Sequence, residues 1–452
     1  MTVEHPALMQ VDKSGMKFGP IWLVSGITRT NLYAYMYAAL TTIGLLTFVN
    51  TGTPLVMNST LNIPLAEQGA LSGYLVIATE IAQFLVFGIV GVLADRIGRR
   101  GLFSLGLFVM GLGYLFYPFA DSVPELFVYR VIYAAGLAAS TGMLGTIVAD
   151  YPQDVSRGKT VALGGMLNGL GVIFVAVFIG NRLPPALSNA GFDAIEVTRI
   201  IHVVVFLLCT ITAIVVALGL QKGTPGKKEE RPPWRELIFS GLIEGKNPRI
   251  ALSYATAFVA RSDLVILGIF GVLWGTTAGV EQGLPVAEAA SQGARIFAVA
   301  SSAAFVWLLV LGATMDRFNR ITGVVVCMGL AAIGYLSMIF VDNPLAPEAI
   351  PFFILLGIGQ ISAFFGATTL ISHEAPRLTR ASVIGTFNMS GAVGILVSSG
   401  VGGLLFDVYG GAGPFALVGM MNGCVLLLAI VVRIKSPGAM PLATGATKAG
   451  VD

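Results

Sequence analysis

The sequence predicts an all-α membrane protein: twelve transmembrane helices in two pseudo-symmetric six-helix bundles. Three observations carry that prediction. Of the 452 residues, 55% are hydrophobic and 11% charged, with a mean hydropathy of +0.83, whereas soluble domains hold about a quarter of their residues as charges. The apolar residues come in long blocks with the charges between them. No formal charge stands between Arg29 and Glu67, a gap wide enough for a spanning helix of about 20 residues. Finally, the charged phrase "GVLADRIGRR", Gly91 to Arg100, returns half a chain later as "GATMDRFNR", Gly312 to Arg320.

The blocks are too long for tilted barrel strands and lack their alternation. A bilayer leaves no water for unpaired backbone, so each block is expected to be a helix. After the polar segment 1–31, which has no apolar signal-peptide core, the first six helices are expected at 32–56, 69–94, 102–120, 126–149, 161–180 and 199–220. Their ends are marked in turn by "NIPLAEQ", "DRIGRR", "FADSVPE", "DYPQDVSRGK", "NRLPP" and "QKG". The next six are expected at 250–278, 289–315, 322–341, 350–372, 382–406 and 414–432, divided by "EQG", "MDRFNR", "DNP", "HEAPR" and "DVYGG". The domain division that follows is 1–31 tail, 32–220 first bundle, 221–249 linker, 250–432 second bundle and 433–452 tail.

Sidedness follows from Lys and Arg, which accumulate in cytoplasmic loops. Of the 27 basic residues, Arg182 and Arg199 fall in the opposite loops and Arg130, Arg261 and Arg295 inside helices; all others lie on the side of "GVLADRIGRR". Both termini and the linker are therefore expected in the cytoplasm, in a multi-pass protein of the plasma (inner) membrane. An even number of spans requires the same. The linker is basic and rich in Gly and Pro. From Trp234 to Gly245 it turns amphipathic, as in a short helix lying on the membrane surface.

The repeat extends beyond the charged phrase. "ADYPQDVSRGK" is echoed by "SHEAPRLTRAS", and "GMLN" (Gly165–Asn168) by "GTFN" (Gly385–Asn388). Membrane chains built from such repeats place a binding site between the halves and rock about it. These residues resemble the major facilitator superfamily, whose loop between the second and third helices reads roughly G-x-L-a-D-R-x-G-R-[RK]. Gly91, Leu93, Ala94, Asp95, Arg96, Gly98, Arg99 and Arg100 match it.

The resemblance implies a cytoplasmic gate. Gly91 would let the second helix lie close against the eleventh, and Asp95 would face the positive N-terminus of that helix. Arg96, Arg99 and Arg100 would reach Asp150, followed by Arg157; Asp316, Arg317, Arg320, Glu374 and Arg380 would repeat the arrangement in the second half. Three departures weigh against a drug–proton antiporter: no Gly-Pro signature in the fifth helix, Tyr133 where a Gln is common in the fourth, and no acidic residue in the first.

Ionisable groups deep in a span are costly unless they face protein or water. Glu80 lies eleven residues before Gly91, about 16 Å into the membrane at the helical rise. It reads either as a carboxyl that loads and releases a proton or as a structural carboxylate paired with an Arg or a hydroxyl. Arg261 lies about 18 Å beyond Arg249 by the same rise. Asp263 follows two residues later, about 200° around the helix, so the two need separate partners. Because the second and seventh helices approach each other in the family, a Glu80–Arg261 pair is expected, with Arg261 freed for an anionic substrate when Glu80 is protonated. Asp263 is a second proton-coupling candidate.

Arg130 and Arg295, within two turns of Glu125 and Glu288, read either as side chains snorkelling to the outer interface or as a positive ring at the outer mouth. Asn50, Asn168, Gln360 and Asn388 are candidates for lining the solute path or for interhelical hydrogen bonds. Trp274 reads as a stacking platform or an interface anchor. Tyr33, Tyr35 and Tyr37 read as belt residues, Cys209, Cys327 and Cys424 as small buried residues, and His202 and His373 as solvated groups at helix ends.

No second histidine follows "HEAP" at the spacing of a zinc site, no G-x-S-x-G occurs, and "GLGVIF" at Gly169 reads as helix packing. No segment outside the spans is long enough for a receptor's output domain. The reading is a secondary transporter, not an enzyme, with no metal, cofactor or nucleic-acid partner. Working as a monomer in the bilayer, it would move a small organic solute by alternating access, coupled to protons, with an anionic solute favoured. The alternatives are proton-driven export of drugs or amphiphilic metabolites, and uncoupled facilitation.

Overall fold

A computed structural model describes residues 14–153, 156–222, 241–314, 319–376 and 380–437, with the side chains of 87–97, 148–149, 157–159, 161–162, 313 and 380–382 outside that description. Among the described residues, twelve helices are long and apolar enough to cross a membrane. The first six are Arg29–Ser59, Leu65–Val86, Gly98–Phe119, Val123–Ile147, Leu163–Asn189 and Ala194–Gly219. The others are Pro248–Glu281, Val286–Gly312, Arg320–Phe340, Pro347–Glu374, Val383–Tyr409 and Gly413–Lys435. They are called the first to twelfth helices below.

Several bounds shift by a few residues, and at the fifth and sixth helices the shift has a structural cause. The fifth runs on to Asn189 because Val175–Arg182 form a π-helical segment, which carries the chain past Gly180 without a break. The sixth begins at Ala194, capped by Asp193 and Glu196 in a reciprocal box. His202 is therefore not a solvated end residue. It is fully buried, its Nδ1 on the Thr198 carbonyl at 2.7 Å and its ring against Phe48 and Tyr117. The second and third helices turn at Gly98, whose φ of 79° and ψ of 155° lie where only glycine is unstrained. Gly98→Ala is expected to cost about 1–3 kcal/mol in backbone strain and to lower the melting temperature of the purified protein, although no neighbour among the described residues would meet the new methyl.

The described chain divides into two compact units: Met1–Asn62 with Ala78–Glu229, and Ile63–Ile77 with Glu230–Asp452. In the first unit, helices approach through small residues, as membrane helices must where dispersion replaces the hydrophobic effect. A side chain at Gly171 of the fifth helix would land on the Leu40 carbonyl of the first. The segment before the first helix is more than a tail. Lys17–Phe18 pair with Ile21–Trp22 in a hairpin, Leu23 bridges Pro152, and Ser156 donates to the Trp22 carbonyl at 2.7 Å.

In the second unit the same crossing recurs, with Gly394 of the eleventh helix against the Phe258 carbonyl of the seventh. The start of the second helix belongs to this unit, because Gly69 and Gly73 bring its backbone against Gly403 and Ser399. Asp407, at the end of the eleventh helix, accepts from the Gly69 and Ala70 amides at 2.8 and 2.7 Å. These are charge-assisted bonds to amides in the second turn of the helix, and they tie the eleventh helix to the second. Asp407→Ala is expected to destabilise the protein by about 1 kcal/mol and Asp407→Asn by less, read as melting temperatures at equal detergent.

Residues 234–240 of the expected surface helix lie outside the described residues. Gly241–Glu244 are helical, held by Tyr254 donating to the Gly241 carbonyl at 2.7 Å. Of the three cysteines, Cys209 and Cys327 are buried, but Cys424 is exposed, facing outward from the twelfth helix. Among the belt tyrosines, Tyr33 is exposed and Tyr35 is buried against Tyr151.

Candidate functional site

Each unit holds an ion pair among its described residues. Arg99 pairs with Asp150, as expected, but Arg100 turns to donate to the Leu220 carbonyl at the end of the sixth helix, at 3.3 Å. Tyr151, beside them, accepts from the Gln221 amide at 3.0 Å. Burial pushes its phenol above the usual range, against the opposing pull of that hydrogen bond and of Arg100 and Arg99, so the hydroxyl keeps its proton. In the second unit Glu374 pairs with Arg249 at 3.3 Å. Sequence reading treated Arg249 only as the mark where the seventh helix enters the membrane. The side chains of Gly91, Asp95, Arg96, Arg157, Asp316, Arg317 and Arg380 lie outside the described residues. Arg320 is half-buried at the start of the ninth helix.

Arg130 neither snorkels nor opens to an outer mouth. It is 3% exposed, donating through Nε to Thr79 at 2.8 Å and through Nη1 to Thr53 at 3.3 Å, and its guanidinium stacks on Tyr133. Tyr133 in turn donates to the Leu46 carbonyl at 2.9 Å, and Tyr114 to that of Leu45 at 2.7 Å. These carbonyls sit where the first helix breaks between Thr47 and Val49, so the tyrosine that departs from the family's common Gln has a structural task here. Glu80 is half-buried on the second helix, and its Oε1 accepts from Gln83 at 3.3 Å.

Asn168, in the amide orientation that satisfies its neighbours, donates to the Ala39 carbonyl of the first helix at 2.8 Å. Asn388, its counterpart in the repeat, faces the seventh helix, the counterpart of the first. There its Oδ1 accepts from Arg261 Nη2 at 2.9 Å in an accessible position. The same side chain thus closes a backbone contact in the first unit and aims a guanidinium in the second. Gly391, one turn on, leaves room for the Arg261 stem. Glu80 belongs to the first unit and Arg261 to the second.

Asp263 points the other way around the seventh helix, as the 200° spacing requires. It is fully buried with Asn422 of the twelfth helix, whose Nδ2 donates to Asp263 Oδ1 at 2.9 Å. Trp274 is not an interface anchor: it is 7% exposed, packed on Phe415 and covering Gly411. Gln360 is buried and Asn50 half-buried. Arg295 is exposed on the eighth helix, beside a recess formed with Gln292, Leu345 and Phe353.

The profile of the Major Facilitator Superfamily matches residues 32–399. The chain belongs to that superfamily. It is 29% identical to magnetosome protein MamH of Paramagnetospirillum magneticum over 408 residues, 88% of this chain and 91% of that protein. Against magnetosome protein MamZ of the same organism it is 27% identical over 83% of this chain, spanning 58% of MamZ. Among solved structures the nucleoside transporter NupG superposes with a TM-score of 0.68 at 15% identity, covering 91% of this chain and all of that one, which shows a shared fold. As a member of the superfamily, this chain is a multi-pass membrane transporter of small solutes.

Proposed function

We propose that this transporter carries a small organic anion by alternating access, coupled to protons, with Arg261 as the anion-binding group and Glu80 as the coupling carboxyl. The observation that carries the reading is Arg261 itself: a guanidinium deep in a span, aimed by the neutral Asn388 amide through Nη2 at 2.9 Å in an accessible position. An amide oxygen aims a guanidinium without neutralising it, and the planar fork matches a carboxylate or phosphate through two hydrogen bonds. Arg130, buried with Nε on Thr79 and Nη1 on Thr53, supports the first unit rather than the solute. Arg295 supplies positive charge at the outer end of the eighth helix, and Gln360 and Asn50 offer polar contacts along the path.

The Arg99–Asp150 and Arg249–Glu374 pairs act as cytoplasmic clasps that open in each cycle. Partly exposed ion pairs are worth on the order of 1 kcal/mol, weak enough to break repeatedly. The arrangement of Lys and Arg favours cytoplasmic termini in a plasma (inner) membrane protein working as a monomer. The relation to two proteins named for the magnetosome gives a second location, that compartment, which membrane fractionation of the source cells separates from the first.

The test is a thermal-stabilisation screen of the purified protein against organic acids, sugars, amino acids and cationic dyes at two pH values. Stabilisation by an organic acid, stronger at the lower pH, is expected. Stabilisation by cationic dyes alone would overturn the anion reading in favour of export of amphiphiles. Transport of the identified solute that ignores an imposed proton gradient would overturn the coupling.

A further inference from the structure

Asp263 and Asn422 make an incomplete pair. Both are 0% exposed, on the seventh and twelfth helices of the second unit. Asn422 spends both amide hydrogens, one on Asp263 Oδ1 at 2.9 Å and one on the Val418 carbonyl at 3.1 Å. Its orientation is therefore fixed, with the amide oxygen turned away from Val418. Two atoms are left over, Asp263 Oδ2 and Asn422 Oδ1, both buried and both without a partner among the described residues. Each belongs to a group already joined by the 2.9 Å bond, and each is an acceptor. What the pair lacks is one hydrogen.

We propose that Asp263 and Asn422 hold a resident proton: Asp263 Oδ2 carries it and donates to Asn422 Oδ1, closing a carboxylic acid–amide ring that clasps the seventh helix to the twelfth. A protonated carboxyl supplies one O–H donor, and that donor satisfies both orphan oxygens at once. An ionised carboxylate would leave two buried acceptors on one bonded pair with no hydrogen between them, an arrangement that folded proteins avoid.

The surroundings fit a neutral acid. Tyr335 of the ninth helix donates its hydroxyl to the Asp263 backbone carbonyl rather than to the carboxyl. Arg261, two residues away, is turned to Asn388. Among the described residues, neither ion pair reaches Asp263, and the side-chain partner it has is the Asn422 amide. The site therefore stores a proton instead of exchanging it during transport, which separates Asp263 from Glu80 and stands whether or not the solute is an anion.

Infrared difference spectra of the purified protein, wild type minus Asp263→Asn, test the site. A protonated-carboxyl carbonyl band, shifted in deuterium oxide and present from pH 5 to pH 9, is expected. A carboxylate band at pH 7 would overturn the proposal. The Asp263→Asn amide keeps an acceptor for Asn422 Nδ2 and a donor for Asn422 Oδ1, with one further hydrogen, so that variant is expected to melt within about 2 °C of wild type and Asp263→Ala about 5 °C or more below it. Equal destabilisation by both would count against the ring, and a well-folded Asp263→Asn protein that no longer transports would show that the proton must leave. Should Asp263→Asn fail to fold, the wild-type spectrum with carboxyl-13C aspartate reads the same band, and its absence overturns the assignment.

Discussion

Arg261→Ala is expected to abolish transport of the solute and to weaken its binding by about 100-fold. A hydrogen bond between charged groups is worth about 1.5–3 kcal/mol, and each 1.4 kcal/mol is tenfold in affinity. Arg261→Lys keeps the charge but loses the planar fork that meets both the anion and Asn388 Oδ1, so an intermediate loss of about tenfold is expected. Asn388→Ala removes the group that aims the guanidinium, and its loss in affinity should fall below that of Arg261→Ala. Asn168→Ala, the matching change in the first repeat, is the control. It removes a bond to the Ala39 carbonyl and should lower stability while leaving solute affinity unchanged. The measurements are isothermal titration of the solute found by thermal screening and uptake into proteoliposomes. Arg261→Ala binding within twofold of wild type would remove the anion reading.

The contrast between Asn168 and Asn388 marks where sequence reading reached its limit. The repeat itself was legible, because "GMLN" and "GTFN" share spacing and the helices share hydropathy. All twelve spans followed from composition, since lipid permits few other backbone arrangements. The separation of Arg261 from Asp263 followed from helical geometry alone: two residues apart, they take partners on the eleventh and twelfth helices. The partners themselves were not legible. An asparagine within an apolar block reads the same whether it meets a carbonyl, as Asn168 does, a guanidinium, as Asn388 does, or a carboxyl, as Asn422 does.

Other features were hidden for simpler reasons. The hairpin at Lys17–Trp22 is too short to leave a periodic signal. His202 was misread because the sixth helix starts five residues earlier than its last flanking charge suggested. Asp407 sits at a helix end, where a carboxylate reads as solvated, and only the approach of Gly69 to Gly403 shows which amides it meets.

Glu80→Gln is expected to uncouple the transporter. Glutamine preserves the size of the side chain and the acceptor that meets Gln83 at 3.3 Å, so folding should survive, but it carries no exchangeable acid proton. Two assays separate the consequences. Accumulation of the solute against its gradient, driven by an imposed proton gradient, should fall to the background of empty vesicles. Exchange of labelled for unlabelled solute at equal proton concentration should persist, because it needs the binding residues and the conformational change but no net proton movement. The pH dependence of uptake should flatten in the same variant. A carboxyl that served only as a structural partner would behave differently: stability and exchange would fall together, and whatever transport remained would still follow the proton gradient. Undiminished proton-driven accumulation by Glu80→Gln would show that another group carries the proton. With Asp263 occupied in its ring with Asn422, the coupling reading would then have no described carboxyl left in the middle of a span to rest on.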